Sequence, residues 1–443
     1  MSNPEEGGQE RVPSTDAFES LAAAVKRDDV AGARDLLNAY PELHGRLDQP
    51  APALPFDSVL INAAVQRQNL AMIDLLLASG AAINARSGWW AGGFGVLDTC
   101  EPDFAPLLIE RGAVVDAHAA ARLGMFDVLR HWVMKGPEAV HARGGDGQTP
   151  LHFAKTVEIA RFLLQYGADI DARDVDHEST PAQYMVRDRQ EVARFLVEQG
   201  CRTDILMAAA LGDFNLVRAH LDTDPAAIST RVSDLYFPRE NPHSGGTIYI
   251  WTLGGNKTAH MVAREFGHEE IFRFLMDRTP PELKLVQACE LGDEATFNAM
   301  LEAHPNLVQT LSEDDLRKLP EAAMSNNLAA VRLMLAAGWP VTARGDENGT
   351  PLHIAAWIGS AEMVREILRY NPPVNVRGDR YDMTPLGWAL HGSLNSWRKD
   401  KGDYAATVEL LLNAGANVPQ PIDDVRTTGA VRQVLHNRRL DRH

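Results

Sequence analysis

Residues 346–377, DENGTPLHIAAWIGSAEMVREILRYNPPVNVR, contain the pattern of two short helices joined by a tight turn. Thr350 is suited to cap the first helix, and Pro351 fits its first turn because the ring already fixes φ. Leu352 and the alanines that follow it form an apolar stripe along this helix. Apolar residues at positions 363, 364, 367 and 368 have the spacing of a second helix. The stretch therefore predicts a helix-turn-helix unit.

The same pattern returns along the chain. Residues 146–173, DGQTPLHFAKTVEIARFLLQYGADIDAR, repeat it with a shortened middle. Thr350 and Thr384 are 34 residues apart, and Gly167 and Gly200 are 33 residues apart. The motif and its period resemble the ankyrin repeat closely. The resemblance implies stacked helix pairs, because one pair alone cannot bury its apolar face. We count about twelve such units.

The resemblance covers nearly the whole chain and implies an all-α fold. The expected architecture is an ankyrin-repeat solenoid of about twelve helix-turn-helix units with a short β-hairpin-like insertion. Residues 1–16 are polar and contain Pro and Gly, so we expect a disordered N-terminal segment. Residues 17–422 are expected to form the solenoid. Residues 423–443 are expected to form a C-terminal cap, from an amphipathic stretch, followed by a basic tail.

Charge and composition limit the classes of partner. The chain has 443 residues, with 43 Lys and Arg against 60 Asp and Glu, for a formal net charge of −17. This charge would repel nucleic acid and anionic lipid, and no run of about eighteen apolar residues predicts a membrane span. Three widely spaced cysteines match neither a disulfide framework nor a zinc site. We expect a cytoplasmic protein without nucleic acid, membrane, metal or cofactor.

Three segments depart from the repeat, and function is expected where packing does not dictate the residue. Residues 86–97 form a Gly-rich loop in place of the finger, the turn that precedes the first helix of a repeat. Residues 232–256 form a longer insertion. Its alternating TIYIWTL segment, residues 247–253, lies between two Gly-Gly pairs and predicts a hairpin. Residues 390–403 fall between the two helices of the last full unit.

In an ankyrin unit the finger leads into the helix that lines the concave face. The resemblance therefore places the first two insertions on the groove side, although the sequence does not fix whether they share one site. Aromatic residues in loops beside a groove are typical of a binding hot spot, and they equally suit the packing of such loops onto the solenoid. The candidate partner-binding residues are Trp89, Trp90, Phe94, Tyr236, Phe237, His243, Tyr249, Trp251 and His260.

Two histidines are candidates for chemistry. Alignment of TAHMVAREFG with TPLHIAAWIG puts His260 opposite Leu352, an apolar position where a polar ring needs a partner. A catalytic site could combine it with His243 of the long insertion. The spacing of the histidines matches no metal signature, and no Gly-x-Ser-x-Gly, Walker, dinucleotide or HExxH motif occurs. By the resemblance, His152 and His353 of the TPLH motifs link neighbouring fingers.

The resemblance implies a binding scaffold that presents its concave groove and the aromatic insertions to a protein or peptide. In the alternative hypothesis, residues 232–256 close a pocket that binds or transforms a small molecule with His243 and His260. In a third hypothesis, the groove of one copy receives a segment of another copy, so that the protein self-associates. Ankyrin architecture serves many functions, so the fold alone does not choose among these hypotheses.

Overall fold

The computed structural model describes residues 14–51, 54–378, 382–419, 421 and 425–440. Within them the chain forms two compact units, the first ending at Ile271 and the second beginning at Phe272. The described helices follow one another in twelve pairs, which confirms the predicted helical repeats. In one pair the first helix is only the 3₁₀ helix Pro150–Phe153, at the repeat whose middle is shortened in the sequence.

The α-helices of the first unit are α1 (Ser14–Lys26), α2 (Val30–Ala39), α3 (Leu60–Gln66), α4 (Leu70–Ala78), α5 (Val96–Thr99), α6 (Ala105–Glu110), α7 (Ala117–Leu123), α8 (Phe126–Lys135), α9 (Val157–Gln165), α10 (Pro181–Met185), α11 (Gln190–Glu198), α12 (Ile205–Leu211), α13 (Phe214–Thr223) and α14 (Ala259–Glu265). Helix α15 (Glu269–Met276) contains the boundary. The second unit has α16 (Pro281–Leu291), α17 (Glu294–Ala303), α18 (Glu313–Leu316), α19 (Lys318–Met324), α20 (Leu328–Ala337), α21 (Pro351–Trp357), α22 (Ala361–Leu368), α23 (Pro385–Asn395), α24 (Tyr404–Asn413) and α25 (Gly429–Leu440). Further 3₁₀ helices are Pro41–Arg46, Pro55–Asp57, Pro102–Phe104, Pro137–His141, Gly145–Gly147, Pro225–Ser229, Leu307–Thr310 and Asp346–Asn348.

Successive pairs stack in each unit. First helices pack on first helices, as α12 on α14 and α21 on α23, and second helices on second helices, as α9 on α11 and α22 on α24. Small side chains allow the close approach of the first helices, since Ala208, Ala209 and Ala210 of α12 are completely buried. Gly200 ends α11 with a φ of 88°, a conformation that favours glycine at this position.

The TPLH motifs hold neighbouring fingers together as the resemblance implied. His152 Nδ1 accepts a hydrogen bond from the Thr149 backbone N–H at 3.0 Å, and Nε2 lies 3.2 Å from the Ser179 carbonyl oxygen of the next finger. His353 makes the equivalent contacts with Thr350 and with the Met383 carbonyl. The ring therefore bridges one finger to the next while it remains buried.

The hairpin expected in the long insertion does not form. Among the described residues there is no β-strand, and Ile250–Gly254 form a π-helical turn. A strand on one sheet face would alternate buried and exposed residues, whereas the consecutive Thr247, Ile248 and Tyr249 are all buried. The backbone N–H of Ile248 bonds to the Ser179 hydroxyl, a partner on a neighbouring finger instead of a second strand.

The structure describes part of each predicted terminal segment and all of the third insertion. The expected disordered segment 1–16 mostly falls outside them, but α1 already begins at Ser14, because the buried Ala17 and Phe18 hold its N-terminal part. At the other end, α25 packs on α24 with Val431 and Leu435 buried, as a cap would. In the second unit, residues 390–403 lengthen α23 before the chain turns back into α24.

The buried His152 predicts a pH dependence of stability. Burial lowers the pKa of His152 from its usual 6.5 to about 3, so the unfolded chain binds a proton more readily between these values. The contribution of this neutral ring to the free energy of unfolding is fully present above pH 6.5 and is lost as the pH falls toward 3. Between pH 7.5 and pH 5 the linkage relation gives a loss of about 2 kcal/mol from this group. His152→Gln is expected to lose correspondingly less stability than wild type over this interval, measured by urea unfolding. The exposed His141→Gln serves as the control, and an equal loss in all three proteins would contradict the assignment.

Candidate functional site

The first insertion, residues 86–97, lies directly against the finger of the repeat 143–148. The indole N–H of Trp89 donates to the Asp146 carboxylate at 2.9 Å, and the Asp146 backbone N–H donates to the Gly92 carbonyl at 3.2 Å. Gly92 has a φ of 139°, and a Cβ there would lie 2.3 Å from the Gly144 carbonyl oxygen. The loop can approach this closely because residue 92 has no side chain.

The second insertion, residues 232–256, lies on the next finger, residues 173–180. The hydroxyl of Ser244 and the backbone N–H of Gly245 both donate to the Asp176 carbonyl, at 2.6 and 2.9 Å. The Glu178 carboxylate accepts the backbone N–H groups of residues 240 and 241 at 2.8 and 2.7 Å. These bonds connect residues more than sixty positions apart in sequence, so the insertion is fixed along its length and not only at its ends.

The two insertions meet through aromatic rings. Trp90 of the first and His243 of the second have ring centroids 6.1 Å apart. Trp89 packs on Trp90 at 6.2 Å and edge-on to Phe56 at 5.1 Å. Phe94 also contacts Phe56, with centroids 5.9 Å apart. We call Phe56, Trp89, Trp90, Phe94 and His243 the aromatic patch. It exposes apolar surface, since Phe56 is 49% and Trp90 43% exposed.

Phe56 is a member that the sequence reasoning missed. It lies in the 3₁₀ turn Pro55–Asp57 with a φ of 58°, a left-handed conformation that is uncommon for an aromatic residue. The short Leu-Pro-Phe-Asp stretch before α3 breaks the repeat finger there too, and this break is the signal that could have identified it.

Tyr249 and His260, two of the sequence candidates, are completely buried and present no surface to a partner. The Tyr249 hydroxyl donates to the Asp204 carboxylate at 2.9 Å, and its ring meets Phe237 edge-on. Asp204 caps α12 by accepting the Met207 N–H, and burial raises the pKa of this carboxyl. Tyr249 therefore anchors the insertion to the end of a helix. His260 is a buried residue of α14.

The remaining candidates are dispersed. Trp251 is 73% exposed on the π-helical turn. Tyr236 and Phe237 are half-buried beside a cavity of about 290 Å³ that Arg173 and Glu178 also line. Neither His243 nor His260 lines this cavity. The catalytic alternative required both histidines to converge on one pocket, and the fold does not bring them together there.

A cluster of acidic residues and one histidine lies beneath both insertions. Asp146, Asp176 and His177 place one potential ligand atom each within 4.8 Å of one another, so they are the described residues that could hold a metal ion. Burial raises the pKa of Asp146 to about 6 and also raises that of Asp174. The sequence reasoning considered only cysteine and histidine spacing and missed this DVDH segment, residues 174–177. Its closely spaced carboxylates and imidazole were the available signal.

Comparison with protein-family models agrees with the stacked helix pairs. A family model described as ankyrin repeats (3 copies) matches residues 117–207 and 319–421. Both of these segments are therefore ankyrin repeats. Protein phosphatase 1 regulatory subunit 27 of Mus musculus is 26% identical to it over 114 residues, 25% of this chain and 74% of that protein. The crystal structure of the human ASB11 ankyrin repeat domain matches with 16% identity and a TM-score of 0.27, covering 68% of this chain and 99% of that one. Within the described residues, no helix combines the length and hydropathy that a bilayer crossing requires.

Removal of the Tyr249 hydroxyl tests its anchoring role. Tyr249→Phe keeps the ring but takes a donor from the buried Asp204 carboxyl, so it is expected to lower the free energy of unfolding by about 1–3 kcal/mol. Trp251→Phe, at an aromatic position two residues away that is 73% exposed, is expected to change it by less than about 0.5 kcal/mol. Urea titration of both variants measures the difference. Equal stabilities of the two variants would show that Tyr249 is no anchor.

Proposed function

We propose that this ankyrin-repeat protein is a binding scaffold for a protein or peptide, and that the aromatic patch is the centre of its contact surface. The observation that carries the proposal is the contact of Trp90 with His243, which joins two separate breaks in the repeat into one exposed aromatic surface. Tryptophan and other large aromatic side chains dominate interface energies when they are surrounded by a polar rim.

Preorganisation of the patch supports the proposal. Trp89 is held by its hydrogen bond to Asp146, and the backbone around His243 is fixed because Asn241 and Ser244 bond to the neighbouring finger. A surface whose side chains are already ordered loses less conformational entropy when a partner binds. The exposed part of Trp90 is thus available for contact without rearrangement of its loop.

The ankyrin resemblance suggests where the partner lies. In an ankyrin unit the finger side borders the concave groove, so a partner on the aromatic patch would extend into the groove. The mouse relative is named as a regulatory subunit of protein phosphatase 1, and we propose a comparable partner-binding role for this chain. The net charge of −17 favours partners with a positive surface, since opposite charge accelerates association.

The small-molecule hypothesis is less well supported by the geometry. It depends on His243 and His260, but His260 is completely buried and neither ring lines the cavity beside Tyr236. That cavity, at about 290 Å³, is at the lower end of the volume range of ligand pockets.

We further propose that the protein acts in the cytoplasm. Its cysteines, Cys100, Cys201 and Cys289, are free thiols in buried positions, as expected of a reducing compartment. Burial raises the pKa of Cys201 to about 12, which keeps this thiol protonated and unreactive.

Affinity capture tests the scaffold proposal. Tagged wild-type protein is expected to retain one or more protein partners from a lysate, and Trp90→Ala combined with Phe56→Ala is expected to lose them. Truncation of interface hot spots costs at least about 2 kcal/mol, so affinity for the purified partner should fall by about 30-fold or more. Binding to that partner is then measured by calorimetry.

The control variant is Trp397→Ala, which removes a tryptophan that is 64% exposed in the second unit, outside the aromatic patch. Partner retention by this control and loss from the double variant would support the proposal. Equal retention by both would place the interface elsewhere, and a small molecule lost only from the double variant would favour a ligand pocket. Light scattering of the purified chain separates capture of a partner from self-association.

A further inference from the structure

His177 is oriented as metal-binding histidines are. Its Nδ1 lies 2.9 Å from the carbonyl oxygen of Gly246. A carbonyl oxygen can only accept, so Nδ1 carries the proton and Nε2 of the neutral ring presents a lone pair. Histidines that bind metals almost always donate their other ring N–H to a carbonyl or carboxylate in this way. The long insertion, which supplies Gly246, therefore fixes the direction of Nε2.

Nε2 of His177 faces a carboxylate oxygen at a metal-like distance. It lies 3.5 Å from Oδ2 of Asp176, whose side chain is 9% exposed. Among the described residues this oxygen accepts no hydrogen bond, while Oδ1 of the same carboxylate accepts the Gly245 N–H at 3.2 Å. Metal–ligand bonds of about 2.0–2.2 Å place neighbouring ligand atoms about 3.3 Å apart around a tetrahedral ion. Two electron-rich atoms that face each other at this distance require a positive species between them, either a proton or a cation.

Negative charge accumulates around this pair. Asp146, Asp174 and Asp176 lie together, and in the described part of the chain none of the three has a lysine or arginine within ion-pair distance. His177 is the nearest basic group. Asp174 is satisfied by donors, since it accepts the Tyr184 hydroxyl and the backbone N–H of His177. Asp146 and Asp176 also accept hydrogen bonds, but from the neutral groups of Trp89, Gln148 and Gly245, which do not cancel their charge. Buried charges in proteins are normally paired or bound to metal, so these carboxylates favour a cation.

We propose that Asp146, Asp176 and His177 bind a divalent transition-metal ion of the zinc class. Imidazole nitrogen combined with carboxylate oxygen suits zinc or manganese better than calcium or magnesium, which prefer oxygen alone. Three protein ligands leave a fourth position for water or for a group of a bound partner.

The outer contacts of this site reach both insertions. Trp89 of the first insertion donates its indole N–H to the Asp146 carboxylate, and Gly246 of the second accepts from His177. Gln148 lies 3.4 Å from the second oxygen of Asp146. A bound ion would therefore connect two fingers directly and both insertions through hydrogen bonds, and it would stiffen the aromatic patch. The site does not depend on the identity of the partner, so it goes beyond the scaffold proposal.

Isothermal titration calorimetry on the full chain tests the site. The protein is treated with EDTA, dialysed, and titrated with ZnCl₂ and separately with MnCl₂. One ion is expected to bind per chain, with zinc tighter than manganese as the general order of metal affinities requires. His177→Gln is expected to weaken zinc binding at least about tenfold. The matched control is His141→Gln, on the exposed end of the 3₁₀ helix Pro137–His141, and it should bind zinc as wild type does.

A second variant guards against misfolding. Asp176→Asn keeps the shape of the side chain and should retain the hydrogen bond from the Gly245 N–H, but it removes the charge. A normal melting curve of this variant without metal, together with weakened zinc binding, supports the proposal. The proposal is overturned if the wild-type chain binds neither ion at micromolar concentrations. It is equally overturned if the folded His177→Gln and Asp176→Asn variants bind zinc as tightly as wild type, since the facing pair would then be joined by a proton.

Discussion

The attachment of the long insertion to a repeat finger is the interaction on which the candidate site depends. Residues 232–256 contain no strand and no α-helix, so their backbone polar groups need partners from elsewhere. The finger 173–180 supplies them through the Asp176 carbonyl, the Ser179 hydroxyl and the Glu178 carboxylate. The finger thereby fixes the conformation of an irregular loop. Without this attachment, His243 would not be held against Trp90.

The finger can serve as a template because it is itself rigid. Repeat packing fixes its position, and the bond between His152 and the Ser179 carbonyl ties it to the preceding finger. Glu178 lies in this finger with a φ of 49°, and its carboxylate accepts two backbone N–H groups of the insertion. The same finger carries the DVDH segment, so the support of the long insertion and two of the three proposed metal ligands, Asp176 and His177, come from one short stretch. Repeat proteins often place function on such fingers, because stacking constrains mainly their helices.

The sequence predicts the repeats well because their determinants are local. Caps, a proline at the first helical turn, apolar spacing and closing glycines all lie within one period, and the twelve helix pairs follow from them. The hairpin prediction was wrong because the contacts that fix this segment are distant in sequence. The alternation around Tyr249 indicated a strand. It could not show that Asp204, 45 residues away in sequence, accepts a hydrogen bond from the tyrosine hydroxyl, or that the ring is buried.

The candidate site was predictable only in part. The sequence identified both insertions as breaks in the repeat, and it named four of the five residues of the aromatic patch. It did not show that the two loops meet, because repeat geometry over the intervening units decides this. It also assigned ligand contact to His260, which is buried. The sequence could not predict the acidic cluster because Asp146 and His177 belong to different repeats. Only the stacking of the repeats brings their ligand atoms within 4.8 Å of each other.

Amide hydrogen exchange tests the central claim most directly. The claim is that residues 232–256 are held on the finger by specific bonds. The amides of Asn241, Gly245 and Ile248, each hydrogen-bonded to the finger, are expected to exchange at least about 100-fold more slowly than those of an unstructured peptide. Exchange at the rate of an unstructured peptide at all three positions would contradict the claim, because the insertion would then be free of the finger.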